Sequence, residues 1–225
     1  MTITYHDDVF QGTDEWLQLR CGVLTASKMK DILTPAFKTA NNDKPRALVY
    51  ELAAQRITRF VEPSYISDDM IRGDEEEILA KDKYNEHYDN VRNVGFITNN
   101  QWGFTIGYSP DGIVGEDGLI EIKSRKQSLQ FRTIAGGAVP LEYMVQIQTG
   151  LLVTGRKWCD FISYSNGMPM YTIRVEPNYK QQAAILEAAS NFEKVVAEVT
   201  EEFYATLNSG ERLIPTERII REEMI

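Results

Sequence analysis

Several residue types are scarce in this chain, and each scarcity excludes a class of site. Only two of the 225 residues are cysteine and two are histidine. This is too few for a four-cysteine iron–sulfur cluster or a His-rich metal site, and it leaves little room for a Ser-His-Asp triad. The cysteines, Cys21 and Cys159, are far apart and lack zinc or redox spacing. Any catalytic chemistry is therefore expected to use carboxylates and lysine.

Long apolar runs and a basic charge balance are also missing. No apolar run approaches a membrane span, and residues 1–8 lack the regions of a secretory signal, so we expect a cytoplasmic protein with no membrane partner. The net charge of −9 opposes nucleic-acid binding if it is spread evenly. Basic residues nevertheless concentrate in places, including 123–132, and bound divalent ions would reverse the field of an acidic site.

The remaining pattern predicts one α/β domain over residues 1–225. With 43% hydrophobic residues the chain can bury a single core, and the charged tail 208–225 is available for oligomer contacts. The alternation of helices and strands predicts a mixed sheet flanked by helices. Helices are predicted at 13–20, at 25 or 27 to 33, at 43–60 with Asp43 as cap, at 68–89, 141–153 and 178–207, and strands at 94–99, 104–108, 119–123, 158–165 and 170–175.

The segment 109–123 carries the strongest chemical signal. Asp111 lies in a Ser-Pro-Asp-Gly sequence, and Glu121 and Lys123 follow in a Glu-Ile-Lys triplet. Two carboxylates can hold a hard divalent cation, and an ammonium group can steer a water molecule toward a phosphorus atom. The pattern indicates a metal-dependent nuclease, although a Glu-x-Lys triplet alone is also typical of a solvated charge pair.

A hairpin would bring these carboxylates together. We expect strands 104–108 and 119–122 to pair across the Gly-rich connection 112–118. Glu121 and Lys123, two residues apart in a strand, would then share one face, with the neighbouring isoleucines on the core-facing side.

Polar residues on two predicted helices have alternative explanations. Glu77 lies in an acidic run that equally suits a solvated helix face. Gln146 shares a face with Tyr143, whereas Gln148 points elsewhere. An amide in this apolar helix can either satisfy a buried backbone group or point toward a metal site.

Arg20 and Ser27 are candidates for binding an anion. Arg20, at the end of the first predicted helix, can hold a phosphate bidentately or merely complement the helix dipole. Ser27, near a helix start, can add a hydroxyl and a backbone amide.

The order of the motifs is more specific than any one of them. The sequence contains Trp-Leu-Gln-Leu-Arg at 16–20, Gly-Val-Leu-Thr-Ala-Ser at 22–27, Gly73 with Glu77 four residues on, Ser-Pro-Asp-Gly at 109–112, Glu-Ile-Lys at 121–123 and Tyr-Met-Val-Gln-Ile-Gln at 143–148. Over about residues 10 to 175 this order resembles the phage lambda exonuclease family of the PD-(D/E)xK nuclease superfamily. The resemblance implies a restriction-endonuclease-like core, with a central mixed sheet flanked by helices.

The resemblance also implies an activity. Members of this family degrade linear double-stranded DNA from 5′ ends with Mg²⁺ and leave 3′ single strands for a recombinase that anneals them. Two ions per site are expected, with Mn²⁺ as a substitute, and a ring-shaped homotrimer is typical of the family.

Roles for individual residues follow from the same resemblance. Lys123 would position and activate the attacking water, and Gln146 would lie along the site. The implied metal ligands are Asp111, Glu121, Glu77 and the backbone carbonyl of Ile122.

The resemblance further implies a pocket for the terminal 5′-phosphate. Arg20, Ser27 and Ser109 would form it, and Tyr143 would lie along the DNA-binding site.

Some features depart from the family, and other functions stay open. Arg72 replaces an aromatic residue often found before the family's glycine, and residues 176–225 match no motif.

A restriction-like endonuclease or resolvase would share the fold and would cut closed circular DNA. A non-catalytic DNA-binding or assembly protein would bind without metal. A glycosidase using Asp111 and Glu121 is disfavoured, because aromatic sugar platforms are not evident nearby.

Overall fold

The computed structural model describes residues 2–63 and 67–219, apart from the side chain of residue 69. Within these residues the chain forms seven helices and nine strands, arranged in two mixed sheets, which confirms the predicted α/β class. The predicted tail 208–225 is described only as far as residue 219, and residues 220–225 lie outside the described part.

The elements alternate along the chain. The strands are β1 (Ile3–His6), β2 (Leu24–Thr25), β3 (Val91–Arg92), β4 (Phe96–Asn99), β5 (Ile106–Tyr108), β6 (Gly112–Val114), β7 (Gly118–Ser124), β8 (Trp158–Tyr164) and β9 (Tyr171–Val175). The helices are α1 (Asp14–Arg20), α2 (Met29–Ile32), α3 (Asp43–Thr58), α4 (Asp68–His87), α5 (Gln127–Gly136), α6 (Leu141–Thr154) and α7 (Tyr179–Leu207). None of the helices in the described ranges is long and apolar enough to cross a bilayer.

Each sheet combines parallel and antiparallel pairs. The four-stranded sheet has the order β1-β4-β5-β2, with β2 parallel to β5. The five-stranded sheet has the order β3-β6-β7-β8-β9, with β7 parallel to β8. The connection between β7 and β8 contains α5 and α6, as a parallel crossover requires.

Alternate residues of β7 enter different cores. Ile120 and Ile122 pack against Ala80 and Tyr84 of α4 in the smaller cluster, which confirms their predicted core-facing side. Burial of such an aliphatic side chain contributes about 1.5–3 kcal/mol each. Glu121 and the other odd-numbered residues of β7 point away from α4, toward the side on which α6 packs.

The predicted hairpin is wrong in one of its two strands. β5 pairs with β4 and β2 in the other sheet, and the partner of β7 is β6, which lies inside the predicted connection 112–118. Three residues are too few to give an alternating pattern that identifies a strand. The carboxylates still meet, because Asp111 directly precedes β6 and the register Gly112 to Ile120 places it beside Glu121.

Helices α1, α4, α6 and α7 agree with their predicted bounds to within two residues. The helix predicted to begin at Thr25 or Ser27 is shorter, because Thr25 pairs with β5 and α2 begins only at Met29. The cap of α3 is Asn42 rather than Asp43, and its side chain accepts a hydrogen bond from the Lys44 amide. Helix α5 and strands β1, β2, β3 and β6 are absent from the prediction.

Candidate active site

Asp111 lies where the ladder between β6 and β7 ends. The register pairs Gly112 with Ile120, so the chain beside Ile122 is no longer a strand. The backbone N–H of Ile122 instead donates to Oδ2 of Asp111 at 2.5 Å. In antiparallel pairing the N–H and C=O of one residue face the same neighbour. The carbonyl of Ile122 is therefore directed to the same side as Asp111.

Glu121 is completely buried, and its carboxylate has three polar contacts. The hydroxyl of Tyr108 donates to Oε2 at 2.9 Å, and Nε2 of Gln146 donates to Oε1 at 2.5 Å. The ammonium group of Lys123 lies 2.6 Å from the same Oε1. A buried carboxylate without such donors would be strongly destabilising. The three groups therefore hold the Glu121 carboxylate in one orientation.

Carboxylates crowd around Asp111. Burial, followed by repulsion from Glu121, raises the pKa of Asp111 well above its ordinary value, although Lys123 opposes the shift. Burial also raises the pKa of Glu77, and Lys81 opposes that shift. A cation near these groups would lower the electrostatic cost of keeping them ionised.

Lys123 remains charged in this environment. Burial lowers the pKa of Lys123, but attraction by Glu121 and Asp111 outweighs burial and leaves the pKa above its ordinary value. The side chain is 25% exposed, so it reaches the surface of the site. The group can orient a water molecule and offset negative charge as an ammonium ion.

Tyr143 lies beside Lys123 and is held by Arg125. Its ring centroid is 5.8 Å from the Lys123 nitrogen, and its ring stacks on Phe161 at 5.5 Å. Arg125 is only 5% exposed, and it donates to the Tyr143 hydroxyl and to Glu142. From sequence, Arg125 was recognised only as part of a basic stretch, because its burial arises from tertiary packing.

Glu77 and its neighbour have different surroundings. Glu77 lies 3.4 Å from Lys81 at the rim of the site. Glu76 is buried and accepts from the Ser124 hydroxyl at 2.6 Å and from the Asn166 amide at 3.3 Å. Within residues 2–63 and 67–219, no group of three or more Asp, Glu, His and Cys side chains is arranged to hold a metal ion. A metal-binding role for Glu77 thus stays a prediction.

Ser109 connects Arg20 to the end of β5. Its hydroxyl oxygen accepts from Arg20 at 3.0 Å and from the Trp16 indole at 2.9 Å. A hydroxyl oxygen has two acceptor positions, and here Arg20 and Trp16 occupy both. The Ser109 O–H is therefore directed away from these donors and can donate a hydrogen bond to an anion. Burial lowers the pKa of Arg20 to about 10, which leaves it charged at neutral pH.

Ser27 follows β2, just as Ser109 follows the parallel strand β5. Both serines therefore lie at the same edge of the four-stranded sheet, and Ser27 contacts the Thr25 hydroxyl at 3.2 Å. The turn before β2 depends on Gly22, which has φ +71° and whose carbonyl accepts from Arg56. A Cβ at Gly22 would lie 2.5 Å from Cγ of Arg56, so a larger residue would disturb this turn.

The two glutamines of α6 have different roles. Gln146 contacts Glu121, and Gln148 points elsewhere, as predicted. The Gln148 amide donates to the carbonyl of Glu176 and accepts from the backbone of Asn178, both at 2.8 Å. One glutamine therefore satisfies backbone groups, while the other belongs to the candidate site.

Solved structures with a similar fold include exonucleases. Two crystal structures of the alkaline exonuclease LHK-Exo from Laribacter hongkongensis, one in complex with dAMP, are 32% and 34% identical to this chain. Each covers 88% of this chain and 99% of its own, with a TM-score of 0.78. A phage related exonuclease from Haemophilus somnus 129PT is 14% identical over 80% of this chain and 96% of its own, with a TM-score of 0.58. The fold is therefore that of nuclease-fold exonucleases.

A family comparison gives a finer assignment. Residues 15–157 match the YqaJ-like viral recombinase domain, and this segment contains every predicted site residue. The chain belongs to this family of viral-recombinase-like alkaline exonucleases, which confirms the predicted relationship to lambda exonuclease. No curated protein matches the chain.

Proposed function

We propose that this protein is a Mg²⁺-dependent exonuclease that degrades linear double-stranded DNA from 5′ to 3′ and leaves 3′ single-stranded overhangs. One observation carries the proposal: Ser109, which contacts Arg20, and Asp111 are separated by a single residue. A two-residue step spans at most about 7 Å. A terminal 5′-phosphate held by Arg20 and Ser109 would therefore bring a nearby phosphodiester to the carboxylates.

The donor atoms fit a hard divalent cation. The carboxylates of Asp111 and Glu121 and the carbonyl of Ile122 supply oxygen, which Mg²⁺ prefers. The raised pKa of Asp111 supports the same assignment, because it reflects negative charge that a cation would offset. We propose two ions, with Glu77 as a further ligand and Mn²⁺ as a substitute. Such ions supply a nucleophile at neutral pH and stabilise the leaving oxygen.

The protein's own groups would orient the reaction. Lys123 would hold the attacking water and offset charge that develops on the phosphate, which accords with its raised pKa. Gln146 would keep the Glu121 carboxylate in position. Tyr143, fixed by Arg125, would line the path of the DNA strand.

The proposed biological setting is phage-type recombination in the cytoplasm. The substrate would be a double-stranded DNA end, and the product strand would pass to a single-strand annealing recombinase. Membership of a viral recombinase family supports this setting. A single nuclease domain that assembles as a homotrimeric ring would keep hold of one strand between steps.

A comparison of DNA substrates tests the proposal. Purified protein with Mg²⁺ is incubated with 5′-phosphorylated linear duplex, 5′-hydroxyl linear duplex and closed circular duplex, with a chelator and Lys123→Ala as controls. We expect metal-dependent loss of linear DNA alone, fastest with the 5′-phosphate. A label at the 5′ end should be released early, and a label at the 3′ end should be retained in long single strands.

Other outcomes would favour other functions. Cleavage of the circle would favour a restriction-like endonuclease or resolvase. Early release of the 3′ label would reverse the direction. Binding of DNA without metal and without cleavage would favour a DNA-binding or assembly protein.

A further inference from the structure

Tyr108 connects the two sheets at the candidate site. It is the last residue of β5 in the four-stranded sheet, yet its hydroxyl donates to Oε2 of Glu121 in the five-stranded sheet at 2.9 Å. Tyr108 is 1% exposed and Glu121 is 0% exposed. The contact is therefore shielded from water. A hydrogen bond to a carboxylate is stronger in such a buried environment than in water.

Helix α6 provides the space for this contact. Gly150 lies four residues after Gln146, so both face the same side of the helix. A Cβ at Gly150 would lie 2.7 Å from Cζ of Tyr108, too close for the ring to keep its place. One face of α6 thus supplies Gln146 as a donor to Glu121. On the same face, the absence of a side chain at Gly150 leaves room for the ring of Tyr108, the second donor.

The donors act on different oxygens of the carboxylate. Gln146 and Lys123 contact Oε1, whereas Tyr108 is the donor to Oε2 among the described residues. A carboxylate oxygen has two lone pairs, so Oε2 can still accept one more partner. The Tyr108 hydroxyl fixes the rotation of the carboxylate and hence the direction of that second lone pair.

We propose that Tyr108 is a positioning residue that orients Oε2 of Glu121 toward a divalent cation, and that Gly150 is needed because it admits the Tyr108 ring. The inference rests on the proposed metal-dependent function and deepens it. Partners that orient metal ligands in this way typically change metal affinity or activity by about 10- to 100-fold when they are removed.

Tyr84 provides a matched control. It is also 1% exposed, and its hydroxyl donates to Oδ2 of Asp160 at 2.7 Å. Asp160 also pairs with Arg174 and is not among the candidate metal ligands. Tyr84→Phe therefore removes a buried tyrosine–carboxylate hydrogen bond of the same kind, but outside the site.

The test measures Mn²⁺ binding by titration calorimetry on the full chain, without DNA. We expect Tyr108→Phe to raise the Kd for Mn²⁺ by about 10- to 100-fold, and Tyr84→Phe to leave it within about twofold of the wild type. Thermal unfolding should show that both variants lose stability. Gly150→Ala should weaken Mn²⁺ binding in the same direction as Tyr108→Phe, and it carries the test if Tyr108→Phe does not fold.

The outcomes separate this inference from the proposed function. Equal Kd values for wild type, Tyr108→Phe and Gly150→Ala would mean that Tyr108 is merely structural and would overturn the inference alone. A wild-type protein that binds no Mn²⁺ would overturn the metal-dependent function, and the inference with it.

Discussion

The ammonium nitrogen of Lys123 lies 2.6 Å from Oε1 of Glu121, so the ion pair joins the core to the surface of the site. The carboxylate is fully buried, whereas the lysine side chain is 25% exposed. Loss of either partner from a desolvated pair leaves an uncompensated charge. Lys123 therefore serves the fold as well as the proposed reaction, and experiments must separate the two.

Lys123→Ala should abolish cleavage of linear DNA while the protein remains folded. Loss of one preorganised charge at a developing oxyanion costs at least about 100-fold in rate. Mn²⁺ binding should persist or strengthen, because the ammonium group no longer lies against Oε1 of Glu121. Digestion rates, circular dichroism and Mn²⁺ titration check these expectations.

Lys81→Ala is the matched control for this change. Lys81 also pairs with a glutamate, Glu77, but at the rim of the site. Its removal should affect the rate far less than Lys123→Ala. A Lys123→Ala protein with a rate within tenfold of the wild type would contradict the assigned role.

Asp111→Asn should alter the dependence of stability on pH. The pKa of Asp111 is raised in the folded protein, so the folded state keeps this proton when the unfolded state has lost it. Stability contributed by this group therefore falls as pH rises from the ordinary aspartate value of about 3.9 through the raised pKa. With a chelator present and no added metal, the melting temperature of Asp111→Asn should rise relative to that of the wild type as the pH increases over this range.

The same variant has a second expected property. Mg²⁺ should narrow the difference in melting temperature at high pH, because a cation offsets the charge of the ionised Asp111. Cleavage should be lost, as it should be for Asp111→Ala. A difference in melting temperature that stays constant from pH 4 to pH 9 would argue against the raised pKa.

Arg20→Lys should reduce the preference for a 5′-phosphate. Lysine keeps the charge but loses the planar fork and the contact with Ser109. A hydrogen bond to a charged group contributes about 1.5–3 kcal/mol, so the ratio of rates on phosphorylated and unphosphorylated ends should fall by roughly 10- to 100-fold. Arg92→Lys, which changes an exposed pair with Asp7, is the control and should leave the ratio unchanged.

Glu76→Gln and Glu77→Gln should separate stability from activity. Both oxygens of Glu76 accept hydrogen bonds, from the Ser124 hydroxyl and the Asn166 backbone N–H, so an amide would replace one of these two acceptors with a donor. Glu76→Gln should therefore lower stability by about 1–3 kcal/mol, measured by denaturant unfolding. Glu77→Gln should change stability less and should weaken Mn²⁺ binding. The reverse pattern would assign the metal role to Glu76.

The acid residues and lysine of the candidate site could be brought together from sequence because their signal is local. Asp111, Glu121 and Lys123 lie within 13 residues, and the structure brings them together. The strand that joins them was not predictable, since β6 has only three residues. Its pattern is shorter than one period of a helix, and neighbouring glycines suggest a loop.

Tyr108 and Arg125 could not be assigned from sequence for a different reason. Tyr108 acts on a strand of the other sheet, and Arg125 acts on a residue of α6. Such contacts depend on how separate elements pack, and a strand tyrosine or a basic residue after a strand has no distinctive local pattern. Gln146 was distinguishable from Gln148 only because helical periodicity determines which residues share a face with Tyr143.

The turn between β6 and β7 lies at the far end of the hairpin from Asp111 and Glu121. It comprises residues 115–117, and three residue pairs separate it from Asp111 and Glu121. Arg156 stabilises this turn by donating hydrogen bonds to the backbone carbonyls of Gly115 and Gly118. The number of residues between the two acids is thus a property of a remote turn. A relative with a longer turn can keep the same acid pair, provided that the strand register is unchanged.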